Sequence, residues 1–131
     1  MRHFVDTSAW IAFVDKKDPD HAAVKRALNA NRGELVTTTY VLDETVTLAK
    51  RRLGANVAIL LGNHLRGSPG ITVVHVAEQD EQEAWNLFCK RADKGCGFTN
   101  CTSFVVMRTL GINAAFALDD DFRQEGFQVK P

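Results

Sequence analysis

Asp6 stands inside an otherwise apolar stretch, HFVDTSAWIAF, with Phe4 and Val5 before it and Trp10, Ile11 and Phe13 after it. An ionisable group placed there either costs stability or has a task. Three more polar side chains of related chemistry, Glu44, Asn100 and Asp119, lie far along the chain. Each has an ordinary structural explanation. Asp6 and Asn100 suit helix N-caps, Glu44 complements a helix dipole, and Asp119 suits a solvated surface. Gathered on one rim, they would form a site. Carboxylates held close together repel one another and lose hydration, so such a cluster is unstable at neutral pH without a cation.

The elements that must position these groups read as short strands alternating with helices. Residues 3–6 suit a strand buried on both faces, and residues 7–14 carry helical spacing. Asp18 and Pro19 supply an N-cap and a first-turn proline for a helix that Gly33 closes. Residues 35–39 are β-branched and form the second strand. Residues 41–53 form a helix with Val41, Leu42, Val46 and Ala49 on one face; Gly54 stops it, and a second helix reaches about Gly67. A turn at residues 68–70 leads to a third strand at 71–76. An amphipathic helix spans 80–91, a loop 94–98 and another helix 101–110, closed by Gly111. Residues 114–118 make a fourth strand and 127–130 a weaker fifth.

This alternation predicts an α/β fold: a parallel sheet with helices on both faces. With no repeat, linker or low-complexity segment, residues 1–131 read as a single domain. Asp6 and Asp119 then fall at the carboxyl ends of strands one and four, the edge where open parallel sheets bind ligands. Glu44 follows strand two, and Asn100 opens the helix before strand four. All four approach the same edge.

Composition narrows the function. Sixteen basic residues balance sixteen acidic ones, so no overall field draws the chain to nucleic acid or anionic membrane, and any polyanion needs a local basic patch. No signal peptide or spanning segment is legible. Cys89, Cys96 and Cys101 have no zinc-ligand spacing and read as buried or half-buried thiols of a reducing compartment, which predicts a cytoplasmic protein. Trp10 and Trp85 read as core. The Asp119-x-Asp121 pair follows the wrong strand to be the nucleophile pair of a DxD phosphatase.

Four segments, FVDTSAW, VLDETVTLAKRRLG, FTNCTSFVVMRTLGI and AFALDDDFRQEGF, resemble the four blocks of a PIN domain, with greatest similarity to the VapC toxins of prokaryotic toxin–antitoxin pairs. The resemblance covers nearly the whole chain in the family's order and spacing. It implies a parallel sheet of order 3-2-1-4-5 and an endoribonuclease dependent on Mg²⁺ or Mn²⁺. Structured RNA is the implied substrate, a transfer RNA or a ribosomal RNA loop. It also implies a homodimer and a cognate antitoxin, whose basic side chain would enter the acidic rim.

Position by position, the resemblance makes Asp6, Glu44 and Asp119 metal ligands and catalytic groups. Thr7 and Ser8 match hydroxyl-bearing positions beside the first aspartate, and Asp121 is an accessory acid. Asn100 stands where the family has a further acid. Its amide has the shape of a carboxylate without the charge, which leaves ligands enough for one Mg²⁺ and weakens a second. A divalent ion would offset the repulsion, acidify a water and stabilise charge on the attacked phosphate.

Lys50, Arg51 and Arg52 end the helix that carries Glu44, about 9–12 Å away along its axis. They serve either as RNA-phosphate contacts or as cations complementing the helix dipole. The alternative to a nuclease is a silenced PIN domain with a natural or engineered Asn100, acting as an RNA- or antitoxin-binding module.

Overall fold

His3, Phe4 and Val5 follow one another and all are buried. Successive side chains of a strand point to opposite faces, so this strand is covered on both sides. It is the centre of the sheet in the computed structural model, which describes residues 1–131. The strands are β1 (Arg2–Val5), β2 (Glu34–Thr38), β3 (Ile71–Val74), β4 (Ala114–Phe116) and β5 (Gln128–Lys130). All pairings are parallel and the order is β3-β2-β1-β4-β5, as expected. Seven helices accompany them: α1 (Thr7–Val14), α2 (His21–Ala30), α3 (Thr39–Leu53), α4 (Ala55–Gly67), α5 (Glu78–Lys90), α6 (Phe98–Leu110) and α7 (Asp121–Gln124).

Two glycines make the chain path possible. A Cβ at Gly33 would lie 1.9 Å from the Met1 carbonyl oxygen, so only glycine lets β2 start beside β1. Gly54 has φ 96°, a left-handed conformation that lets α3 turn directly into α4.

The core holds Phe4, Trp10, Val36, Leu65, Phe104 and Phe122. Helix α6 supplies seven consecutive buried residues, Cys101 to Met107, the mark of a helix enclosed on all sides. Its buried hydroxyls are satisfied locally: Thr102 Oγ1 and Ser103 Oγ donate to the Thr99 carbonyl at 2.6 and 3.1 Å. No helix is long and apolar enough to cross a membrane.

The structure departs from expectation in several places. Helix α2 begins at His21 rather than after Asp18, because the Asp18 carboxylate accepts from Asp20 N–H (2.8 Å) and so closes a turn. Helix α6 begins at Phe98, capped by Gly97, so Asn100 lies inside its first turn and is not an N-cap. Trp10 is core, but Trp85 is 51% exposed, and Cys89 is exposed as well.

Candidate active site

Asp6 occupies the junction between β1 and α1. Its backbone N–H donates to the Phe116 carbonyl at 3.0 Å, prolonging the β1–β4 ladder by one residue. Its side chain caps α1, accepting at Oδ2 from Ser8 N–H (3.2 Å) and from the Ser8 hydroxyl (2.7 Å). The same Ser8 Oγ accepts from Leu118 N–H at 3.0 Å. One hydroxyl therefore fastens the first acid to the residue before Asp119. Asp6 therefore caps a helix, as expected, and lines the cleft as well.

The other oxygen is the informative one. Asp6 is 2% exposed, and its Oδ1 is buried with no hydrogen-bond partner. An unpaired anionic oxygen in such surroundings is costly. Burial, with the charges of Asp119 and Glu44 adding to it, raises the Asp6 carboxyl from 3.8 to about 7 against the hydrogen bonds from Ser8. Burial raises Asp119 too; the N–H of Asp121, donating to Asp119 Oδ1 at 3.1 Å, opposes this, and the Asp121 charge adds to it. These acids resist ionising together.

Glu44 is exposed on α3, one residue before the buried Thr45. Thr45 Oγ1 donates to Thr7 Oγ1 at 3.2 Å, locking α3 to α1 beside the acids. Thr7 thus positions a helix, and Ser8 positions a carboxylate. Asn100 Nδ2 donates to Asp121 Oδ2 at 2.9 Å, so its amide presents a donor to the acids.

These side chains line one cleft of about 990 Å³, which holds Asp6, Thr7, Ser8, Glu44, Asn100, Asp119 and Asp121 together. Arg51 and Arg52 line it as well, whereas Lys50 faces a separate groove of about 570 Å³ between α3 and α4. Asp18, expected only as a helix cap, joins the same wall, as do Asp20 and Asp43, which the sequence did not single out. The only signal for them was their nearness in sequence to the motif acids and to the α2 start.

The donor set fits a divalent cation. No three histidine, cysteine or acidic side chains stand close enough to hold an ion by themselves. Mg²⁺ needs fewer, since it takes one or two carboxylates and keeps several waters. Asp6 and Asp119 would supply that pair, and an ion beside Asp6 Oδ1 would give the orphaned oxygen a partner.

The PIN domain family matches residues 3–127. The chain belongs to the PIN domain family. Within it, the chain is 37% identical over 129 residues to the 23S rRNA-specific endonuclease VapC20 of Mycobacterium tuberculosis, covering 98% of both chains. The crystal structure of that protein, described as a sarcin–ricin loop cleaving toxin, superposes with a TM-score of 0.93 over the full length of both chains, at 36% identity. The DNA-bound VapBC complex of Salmonella typhimurium shares the PIN fold, with a TM-score of 0.68 at 16% identity and coverage of 99% and 98%.

Proposed function

We propose that this chain is a divalent-cation-dependent endoribonuclease of the VapC type, the toxin of a toxin–antitoxin pair, hydrolysing phosphodiester bonds in a structured RNA loop. The observation that carries the reading is Asp6, an acid buried beside Asp119 with one oxygen unpaired. Similarity to VapC20 over 98% of the chain makes the sarcin–ricin loop of 23S ribosomal RNA the first substrate to try.

Asp6 and Asp119, with Glu44 at their side, would hold Mg²⁺ or Mn²⁺. Bound there, the ion supplies charge stabilisation at the attacked phosphate and a water made acidic enough to serve as nucleophile. The chain's own residues do the rest. Ser8 keeps Asp6 oriented through its 2.7 Å bond, and the N–H of Asp121 orients Asp119. Arg51 and Arg52 take phosphates flanking the reacting one. Depth matters too, because burial of Asp6 keeps bulk water from competing for its oxygens.

Incubating the protein with 23S rRNA and Mg²⁺ or Mn²⁺, then mapping ends by primer extension, should give a discrete cut that Asp6→Asn abolishes. No cut by the parent chain with either ion, or equal cutting by Asp6→Asn, would sink the nuclease reading. Co-expression with the neighbouring reading frame should yield a complex and relieve growth arrest.

One observation favours a second reading. Asn100 lacks a charge and spends its amide on Asp121, as suits a silenced domain that binds RNA or antitoxin without cutting. Intact RNA bound with unchanged affinity in Mn²⁺ would support it.

A further inference from the structure

Four aromatic rings form a shelf that meets the acid cleft at Phe98. Phe98, the first residue of α6, lines the cleft with Asn100. The Phe98 ring lies edge-on to Tyr40 of α3 (5.8 Å between centroids), to Trp85 of α5 (6.0 Å) and to Phe88 (6.0 Å). Trp85 stacks on Phe88 at 5.5 Å with an interplanar angle of 27°. The Tyr40 hydroxyl donates to Glu81, tying α3 to α5 across the shelf. This packing would bury an ordinary core tryptophan, yet Trp85 stays 51% exposed. A half-exposed indole stacked on a phenyl ring is suited to taking a further flat ring.

Helix α3 sets the order of what lies along the cleft. Tyr40 is at its start, Glu44 one turn on, and Arg51 and Arg52 at its end. At about 1.5 Å per residue, Tyr40 lies roughly 6 Å before Glu44 and the arginines roughly 11 Å after it. A strand laid along α3 meets aromatic rings, then acids, then cations.

We propose that Trp85, supported by Phe88 and Phe98, is a nucleobase-stacking site that holds one unstacked base of a single-stranded RNA segment while a neighbouring phosphate lies at the acids. The inference rests on the nuclease reading and adds a substrate requirement to it. Aromatic faces take unpaired bases of any identity, the usual way proteins grip looped RNA. The acidic first turn of α5 (Glu78, Asp80, Glu81) repels phosphates, so the shelf takes the flat of a base and leaves the backbone to Arg51 and Arg52. Its continuity with the cleft through Phe98 favours a base over a helix from a second copy.

The test titrates the full chain with a single-stranded oligoribonucleotide in EDTA, which prevents cutting. Trp10 is 1% exposed, so quenching reports Trp85. Quenching is expected in the parent. Trp85→Ala should bind about tenfold more weakly. Trp85→Phe should retain most affinity, and the salt slope should not change, because stacking displaces no counterion. Unquenched Trp85, or Trp85→Ala binding as tightly as the parent, overturns the shelf. So does a dimer that Trp85→Ala splits with per-subunit RNA affinity intact, which would make the face a subunit contact. Quenching by an arginine-rich peptide and not by RNA overturns it equally. Cutting by a Trp85→Ala chain of undiminished affinity would leave the nuclease reading standing; quenching by RNA without any cutting in Mn²⁺ would do the reverse.

Discussion

A single carboxyl group makes the sharpest prediction. Asp6 ionises near pH 7 in the folded chain and near 3.8 when unfolded. Below about pH 4 it is protonated in both states. Between about 4 and 7 the unfolded chain releases a proton that the folded chain keeps, so stability falls as pH rises through that window and levels off above it. The loss is up to about 4 kcal/mol, at about 1.4 kcal/mol per pH unit. Asn caps a helix as well as Asp does, so Asp6→Asn should remove this loss without disturbing α1. Denaturant melts in EDTA should show the variant more stable than the parent by about 2–4 kcal/mol at pH 8, with the gap closing at pH 4. A gap independent of pH would place the ionisation elsewhere. Asn100→Asp works in the opposite sense. It trades a donor to Asp121 for a third charge beside Asp119 and Asp121, so it should destabilise the metal-free chain by about 1–3 kcal/mol. The same change should tighten Mn²⁺ in calorimetry and raise RNA cutting. Equal Mn²⁺ affinity in both forms would put position 100 outside the ion's reach.

Among the elements, α3 carries the most information, since it brings Glu44 and the two cleft arginines to one wall. Replacing Arg51 and Arg52 with alanine should weaken RNA binding and flatten its log–log salt dependence by about 0.7 per phosphate lost. Lys50→Ala, facing the other groove, should leave the slope as it was. A lowered melting temperature with an unaltered slope would mean the arginines serve the helix dipole alone. The placement of these groups was legible in the sequence for a physical reason. In a parallel sheet every strand ends on the same edge, so locating β1 and β4 locates Asp6 and Asp119 together. What was not legible depended on finer balances. Four-residue α7 is too short to show a period. The Asp18 side chain satisfies a turn N–H, and nothing in the letters tells that from a cap. Trp85 shares the apolar stripe of α5 with Ala84, Leu87 and Phe88; Ala84 takes the buried centre, and the indole is left on the flank.

At the scale of the whole molecule, Glu125 joins three helices. Its half-buried carboxylate accepts from Arg91 Nε (2.7 Å) and from Arg108 Nη2 (2.9 Å), linking the end of α7 to α5 and α6, and Arg108 also lies over the Phe127 ring. Burial raises its carboxyl, and the two guanidiniums more than offset this, leaving it below the usual range. A depressed acid contributes stability above its unfolded pKa and loses it as pH falls, opposite in sign to Asp6. Glu125→Gln should therefore cost about 1–2 kcal/mol at pH 7, and the cost should vanish in acid. Equal losses at pH 7 and pH 3, by denaturant melts, would show that packing and not charge holds α7.

The hydroxyl bridge from Ser8 to Leu118 N–H spans 110 residues of chain, and this separation has a temporal meaning. A ribosome adding about 5–20 residues per second needs on the order of ten seconds to travel from one end of that bridge to the other. Throughout that interval Asp6 exists and its partner Asp119 does not. On the nuclease reading, the enzyme is harmless to the ribosome that is making it and becomes dangerous almost in one step, when β4 docks beside β1. A chain stopped after Phe116 should accordingly bind no Mn²⁺ at Asp6 and cut no RNA.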